Sequence, residues 1–196
     1  MYKYLLIFLV IAFYGCDHVK TYTIKEGDHY STYEVSNYSG DNLKFSAIFD
    51  ESAIYTSEIE ENQHDINKLY GFSDCKSHHH QNSARFGWRW YRDRIEIMAY
   101  TYVEGERQSK FVGVAQMHKS HNYGIRIVDD KYIFSFDDVA VEMPRGCEDE
   151  VKLKYRLFPY FGGDEVAPHD ITIFIAENPS KRTKKRINKY LEDKFE

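Results

Sequence analysis

Alternation constrains this chain more than any other feature. From Arg94 to Val103, Ile95, Ile97, Ala99, Thr101 and Val103 fall on one side, and Glu96, Met98, Tyr100 and Tyr102 on the other. A period of two is the mark of a strand with one buried face. Glu104-Gly105 ends that run, and Ser109–Gln116 returns as its hairpin partner. The pattern recurs along the chain. Thr21–Ile24, Tyr30–Tyr38 and Asn42–Phe49 are rich in β-branched and aromatic residues, and Glu26-Gly27-Asp28 and Ser39-Gly40-Asp41 separate them as turns. His121–Val128 and Lys131–Phe136 make a second hairpin around Asp129-Asp130, and Val151–Phe158 and Asp170–Ala176 complete the set. Roughly ten to twelve short strands with tight turns, and no internal run at helical period, predict an all-β antiparallel sandwich or barrel.

The two ends read differently. Residues 1–15 hold Lys3, an apolar run from Leu5 to Tyr14, and Gly15 before Cys16. That run is about ten residues, too short to cross a bilayer, which takes roughly 20, and right for the core of a signal peptide. It resembles a bacterial lipoprotein signal, although Phe13 and Tyr14 are bulkier than that pattern prefers. The resemblance implies a lipid on Cys16, export, and membrane attachment through that residue. A plain cleaved signal and a buried N-terminal strand are the alternatives. At the other end, Ser180 is a candidate N-cap, and Ile187, Tyr190, Leu191 and Phe195 share a helical face. Five of the six residues from Lys181 to Arg186 are basic, which fits either contact with anionic lipid or polysaccharide, or a solvated helix. The expected organisation is a signal peptide (1–15), a β-sandwich domain (16–178) and a short basic C-terminal helix (179–196).

Removing the first 15 residues takes Lys3 away and moves the net charge from −5 to −6. Such a balance is no footprint for nucleic acid. With Cys16 assigned to lipid, Cys75 and Cys147 remain, as a disulfide that an exported compartment permits or as two separate thiols.

Three segments could carry chemistry. Ser73–Asn82 contains Asp74, Cys75 and three consecutive histidines, ligand types suited to zinc. On a strand, His78 and His80 would share a face that His79 could not easily join; a surface loop is the plain alternative. In Ala84–Trp90, the Trp face packs inward and Arg85 and Arg89 project outward, with Gly87 leaving a gap between them. If that strand neighbours Arg94–Val103, Arg85, Arg89, Glu96, Tyr100 and Tyr102 line one surface. Arginine forks there suit a carboxylate or sulfate, as on an acidic sugar; cross-strand ion pairing is the alternative. In Leu157–Ile171, Asp164, Glu165 and Asp170 offer oxygen ligands for calcium, and His169 could sit beside the other histidines.

The run from Lys68 to Ala176 resembles a concanavalin A-like (lectin/glucanase, laminin-G-like) jelly roll, on Arg92–Gln116, His121–Phe136 and Leu157–Ile175. That resemblance implies an antiparallel jelly-roll sandwich and glycan binding, glycan cleavage or adhesion. The glucanase pattern of acidic residues on one strand is absent; Glu58 and Glu60, two apart, would be the nearest carboxylate pair. The expectation is a lipid-anchored protein of the cell envelope that recognises a polysaccharide on one sheet face. Its contacts would be Arg85, Arg89, Tyr100 and Tyr102, backed by His78, His80 and His169. It requires no cofactor, with calcium or zinc as options. A polysaccharide lyase or glycoside hydrolase, and a structural or adhesive envelope protein, are the rival functions.

Overall fold

The structure, a computed structural model, describes residues 19–148, 153–180, 183 and 185. The signal stretch with Cys16, and most of the helix expected over 179–196, lie outside the described residues. At the start of that helix, Ser180 Oγ accepts the Thr183 N–H at 3.1 Å, a side-chain cap on the first turn.

Twelve strands among the described residues make two six-stranded sheets. The first contains, in spatial order, β1 (Lys20–Ile24), β12 (Ile171–Glu177), β3 (Asn42–Phe49), β8 (His121–Val128), β9 (Lys131–Phe136) and β10 (Val139–Pro144). The second contains β2 (Asn37–Tyr38), β11 (Lys154–Leu157), β4 (Asn67–Ser73), β5 (Ser83–Trp90), β6 (Ile95–Val103) and β7 (Glu106–Ala115). Every pairing is antiparallel, and the fold is a jelly-roll sandwich.

The alternation decides what lies between the sheets. Phe86 and Trp88 of β5, Ile97 and Ala99 of β6 and Phe72 of β4 meet Phe45 and Phe49 of β3, Phe134 of β9 and Ile173 of β12, all essentially inaccessible. Full burial of such side chains stabilises by about 1.5–3 kcal/mol each. Glu104 and Gly105, with φ of 53° and 87°, form the two-residue turn between β6 and β7 that suits the twist of paired strands.

The stretch Tyr30–Tyr38 departs from its expected strand. It reduces to β2 and a single bridge from Tyr30 to Tyr160. Tyr33 and Val35 are exposed, and Ser31 bonds through both N–H and hydroxyl to the Pro159 carbonyl, so this stretch lies over a loop and not in a ladder. Glu58 and Glu60 do not share a strand face: Glu60–His64 is a 3-10 turn, and Glu58 precedes it.

Cys75 and Cys147 are joined in a disulfide, with Cα atoms 5.8 Å apart. Beside it, Arg145 Nε donates to Asp74 Oδ2 at 2.7 Å, and the Tyr132 hydroxyl donates to the same oxygen at 2.9 Å. Both charged side chains are fully enclosed, so this network and the bridge pin the β4–β5 turn to the segment after β10.

Candidate functional site

Arg85 lies at the centre of the outer face of the second sheet. Its strand neighbours across the ladder are Gly71 on β4 and Tyr100 on β6. A Cβ at Gly71 would stand 2.2 Å from the Ala84 carbonyl oxygen and 2.4 Å from the Arg85 Cα, so only glycine lets β4 approach here. Although it points away from the hydrophobic core, Arg85 is only 6 % exposed. Its Nε is buried with no hydrogen-bond partner, and among the described residues the side chain forms no ion pair. What surrounds it is aromatic: the guanidinium carbon sits 5.2 Å from the centre of the Tyr100 ring. Burial pulls the Arg85 pKa down, while Tyr100, Tyr102, Tyr155 and Tyr160 favour its charge. A buried, uncompensated cation costs several kcal/mol and is rare in folded proteins.

Two residues that the sequence did not single out complete this centre. Lys68 and Tyr160 form a bridge in which each N–H donates to the other's carbonyl, at 2.8 and 3.0 Å. Lys68 Nζ donates to the Gly162 carbonyl at 2.6 Å and hangs 5.4 Å from the Tyr160 ring and 5.6 Å from the Tyr100 ring. Burial and then Arg85 lower its pKa to about 8. Burial likewise pushes Tyr100 up to about 12, Arg85 opposing, and raises Tyr160. Arg107, paired with Tyr102 across β6 and β7, adds positive charge at the edge. Tyr160 also stacks on His29 at 5.1 Å and meets Tyr30 edge-on at 4.9 Å, so aromatic surface continues onto the loop before β2. The glycines and acids of Leu157–Ile171 draw the eye in the sequence, and nothing local in it announces that Tyr160 docks on β4.

Other candidates fall elsewhere. Arg89 is fully engaged: Nε and Nη2 donate to Glu96 Oε2 at 3.0 and 2.8 Å, and Nη1 donates to the His64 carbonyl at 2.8 Å. Arg94 takes the second oxygen of Glu96. Burial would raise the Glu96 pKa, but hydrogen bonds from Arg94 and Arg89 hold it below its usual range. The gap expected at Gly87 is filled, since a Cβ there would meet Ile66 Cγ2 at 2.3 Å. His169 does not join the other histidines: its Nε2 lies 2.9 Å from the Ser52 carbonyl oxygen, next to the start of β12 in the opposite sheet. The proposed calcium ligands do not converge. Glu165 accepts the N–H groups of Glu58 and Ile59 and the Asn62 amide, whereas Asp170 accepts Lys25 and the Glu26 N–H. Both carboxylates are committed to separate internal bonds, so their oxygens do not meet round one ion.

The histidines occupy a turn, not a strand. The His78 carbonyl accepts the N–H groups of Gln81 and Asn82 at 2.8 and 3.1 Å, one tight helical turn. That curl lets His79 join its neighbours, with ring centres 4.1 Å from His78 and 4.4 Å from His80. His80 stands 5.3 Å from the Tyr102 ring, at the border of the Arg85 face.

No protein-family model matches the chain, and no curated protein matches it in sequence. Solved structures do. Alginate lyase AlyC3 in complex with dimannuronate is similar with a TM-score of 0.56 and 10% identity, over 80% of this chain and 71% of that one. An alginate lyase from Klebsiella pneumoniae gives 0.52 and 9%, over 68% of this chain and 56% of that one, so this chain spans little more than half its length. A family 16 endo-glucanase from Bacteroides ovatus gives 0.51 and 10%, over 80% and 78%. At such identities the likeness shows the fold alone, an antiparallel jelly roll.

Proposed function

We propose that this chain is an exported protein, anchored to a membrane by lipid on Cys16, that binds an acidic polysaccharide on the outer face of β4, β5 and β6. One observation carries this reading: Arg85 is buried among tyrosines with no anion of its own. The fork of a guanidinium matches a carboxylate in two parallel hydrogen bonds, and a uronate unit brings that carboxylate on a pyranose ring whose C–H face the part-exposed Tyr102 and Tyr160 can pack against. Lys68 and Arg107 add positive charge for neighbouring units. The dimannuronate bound by one structural neighbour is a sugar of this class. A purely structural envelope role gives no reason to keep a buried, uncompensated cation.

A lyase is the second reading, favoured by Lys68 and the tyrosine hydroxyls beside Arg85. Elimination requires the uronate carboxylate to be neutralised by Arg85 and its α-proton taken up by a base, the role open to the Lys68 amine in its neutral form. The freed electron pair forms a carbon–carbon double bond as the glycosidic C–O bond breaks, and the leaving oxygen takes a proton from a neighbouring hydroxyl. Glycoside hydrolysis has less support, because the Glu96 carboxylate on this face is tied to two arginines and two working carboxylates are needed.

Titration calorimetry with polymannuronate and with a neutral β-glucan tests the reading. Polymannuronate should bind, the glucan should not, and Arg85→Met should weaken binding at least about tenfold, the worth of a charged hydrogen bond. Undiminished binding by Arg85→Met, or equal binding of the neutral polymer, would overturn it. Growth of ultraviolet absorbance from an unsaturated product during the same incubation distinguishes cleavage from binding alone.

A further inference from the structure

We propose that His78, His79 and His80 form a three-imidazole site for a divalent cation of the zinc class, on the β4–β5 turn beside the Arg85 face. One donor nitrogen from each ring lies within 4.8 Å of the other two. Zinc holds imidazole nitrogens at roughly 2.0–2.1 Å, which sets the donors about 3.4 Å apart in a tetrahedron. His78 and His80 are exposed and can rotate to close that difference, whereas His79 is half-buried and held.

The holding of His79 is specific. The Tyr155 hydroxyl accepts its backbone N–H at 2.9 Å and lies 3.1 Å from its Nδ1. Ser83 Oγ donates to its carbonyl at 2.7 Å. In the tautomer whose Nδ1–H donates to the Tyr155 hydroxyl oxygen, His79 keeps its lone pair on Nε2 for a metal, the usual arrangement behind a ligating histidine. His78 makes only a long contact, its Nδ1 accepting the His80 N–H at 3.3 Å, which rotation of this exposed ring breaks to present a lone pair to the ion. Below them, the Cys75–Cys147 bridge and the Asp74–Arg145 pair fasten the turn, so little chain entropy remains to be lost on closing round an ion.

Electrostatics sorts the ion. Arg85 and Lys68 stand close to the turn and make the potential around it positive. The same positive potential opposes calcium or magnesium, which are held by carboxylate charge, and leaves the field to ions that bond strongly to neutral nitrogen.

The test uses the chain without an affinity tag, freed of metal by a chelator and titrated with zinc chloride in a calorimeter. One equivalent should bind. His79→Gln should lower affinity by about 100-fold or more, as loss of a ligand does. Cobalt in place of zinc should give the intense visible absorption of a tetrahedral nitrogen site, absent from a variant with all three histidines changed to Gln. These variants alter a surface turn, and an unchanged far-ultraviolet circular dichroism spectrum shows that they fold. Substoichiometric zinc in the wild type, or binding unaltered in the triple variant, would overturn the proposal.

Discussion

Arg85 is better suited to a ligand than to the free protein that carries it. A buried cation without a partner lowers the stability of the unliganded fold, while a carboxylate placed on it would recover that cost. Arg85→Met should therefore raise stability in urea by about 1–3 kcal/mol while weakening polymannuronate binding, the exchange expected where function holds a strained group. An arginine kept only for structure would show the opposite change in denaturation. Lys68 makes a second residue-scale prediction. Its pKa is lowered to about 8, so it loses charge as pH rises through that value while uronate carboxylates stay ionised. Affinity should fall between about pH 7 and pH 9 in the wild type and stay flat in Lys68→Met, measured by calorimetry at matched ionic strength. The sign for folding is reversed. Between about 8 and 10.4 the unfolded chain binds the proton that the native state has released, so Lys68's contribution makes stability rise with pH in that window. Arg85, Tyr100 and Tyr102 follow from alternation once β5 is paired with β6, as the structure pairs them. Lys68 and Tyr160 could not: a register shift between Lys68 and Tyr70 breaks the period of β4, and Tyr160 reaches it through a bridge 92 residues away in sequence.

Elements with local pairings were legible to within a few residues. The β6–β7 and β8–β9 hairpins follow from their own alternation and turn residues. Elements whose partner is remote were not. The composition of Tyr30–Tyr38 is that of a strand, yet its neighbour is the loop at Pro159–Phe161, which leaves room for two paired residues and a bridge. The histidines follow the surface-loop alternative and not the strand one, because positive φ at Cys75 (54°) and Lys76 (53°) turns the chain just after β4. The bridge from Cys75 closes a loop of 72 residues and so restricts the unfolded chain. Cys75→Ser should cost about 4 kcal/mol in chemical denaturation. It should also loosen the turn that carries His79, lowering zinc affinity while leaving the Arg85 face intact, so polymannuronate binding changes by less than about threefold at temperatures where the variant is folded. Equal losses at both sites would mean that the turn and the face are one mechanical unit.

At the scale of the molecule, the two sheets divide the work. The first contributes its inner face to the core, whereas the second buries one face and offers Arg85, Lys68 and Tyr100 on the other. A disulfide such as Cys75–Cys147 persists in an oxidising compartment, where the proposed export would place it. Only three residues lie between Cys16 and the start of β1 at Lys20, four steps along the chain, and extended chain covers at most about 3.5 Å per step. A lipid on Cys16 would thus hold the edge strand β1 within ~14 Å of the bilayer surface. That short tether would shield an open sheet edge from pairing with other chains, and it would keep the binding face near whatever polymer lies against the membrane. Cells fed labelled palmitate should yield labelled protein in the membrane fraction. Cys16→Ala should lose the label and, if still exported, appear in the soluble envelope fraction with its affinity for polymannuronate unchanged. Label that persists in Cys16→Ala, or wild-type protein that carries none, would remove the anchor while leaving the carbohydrate reading to stand on Arg85.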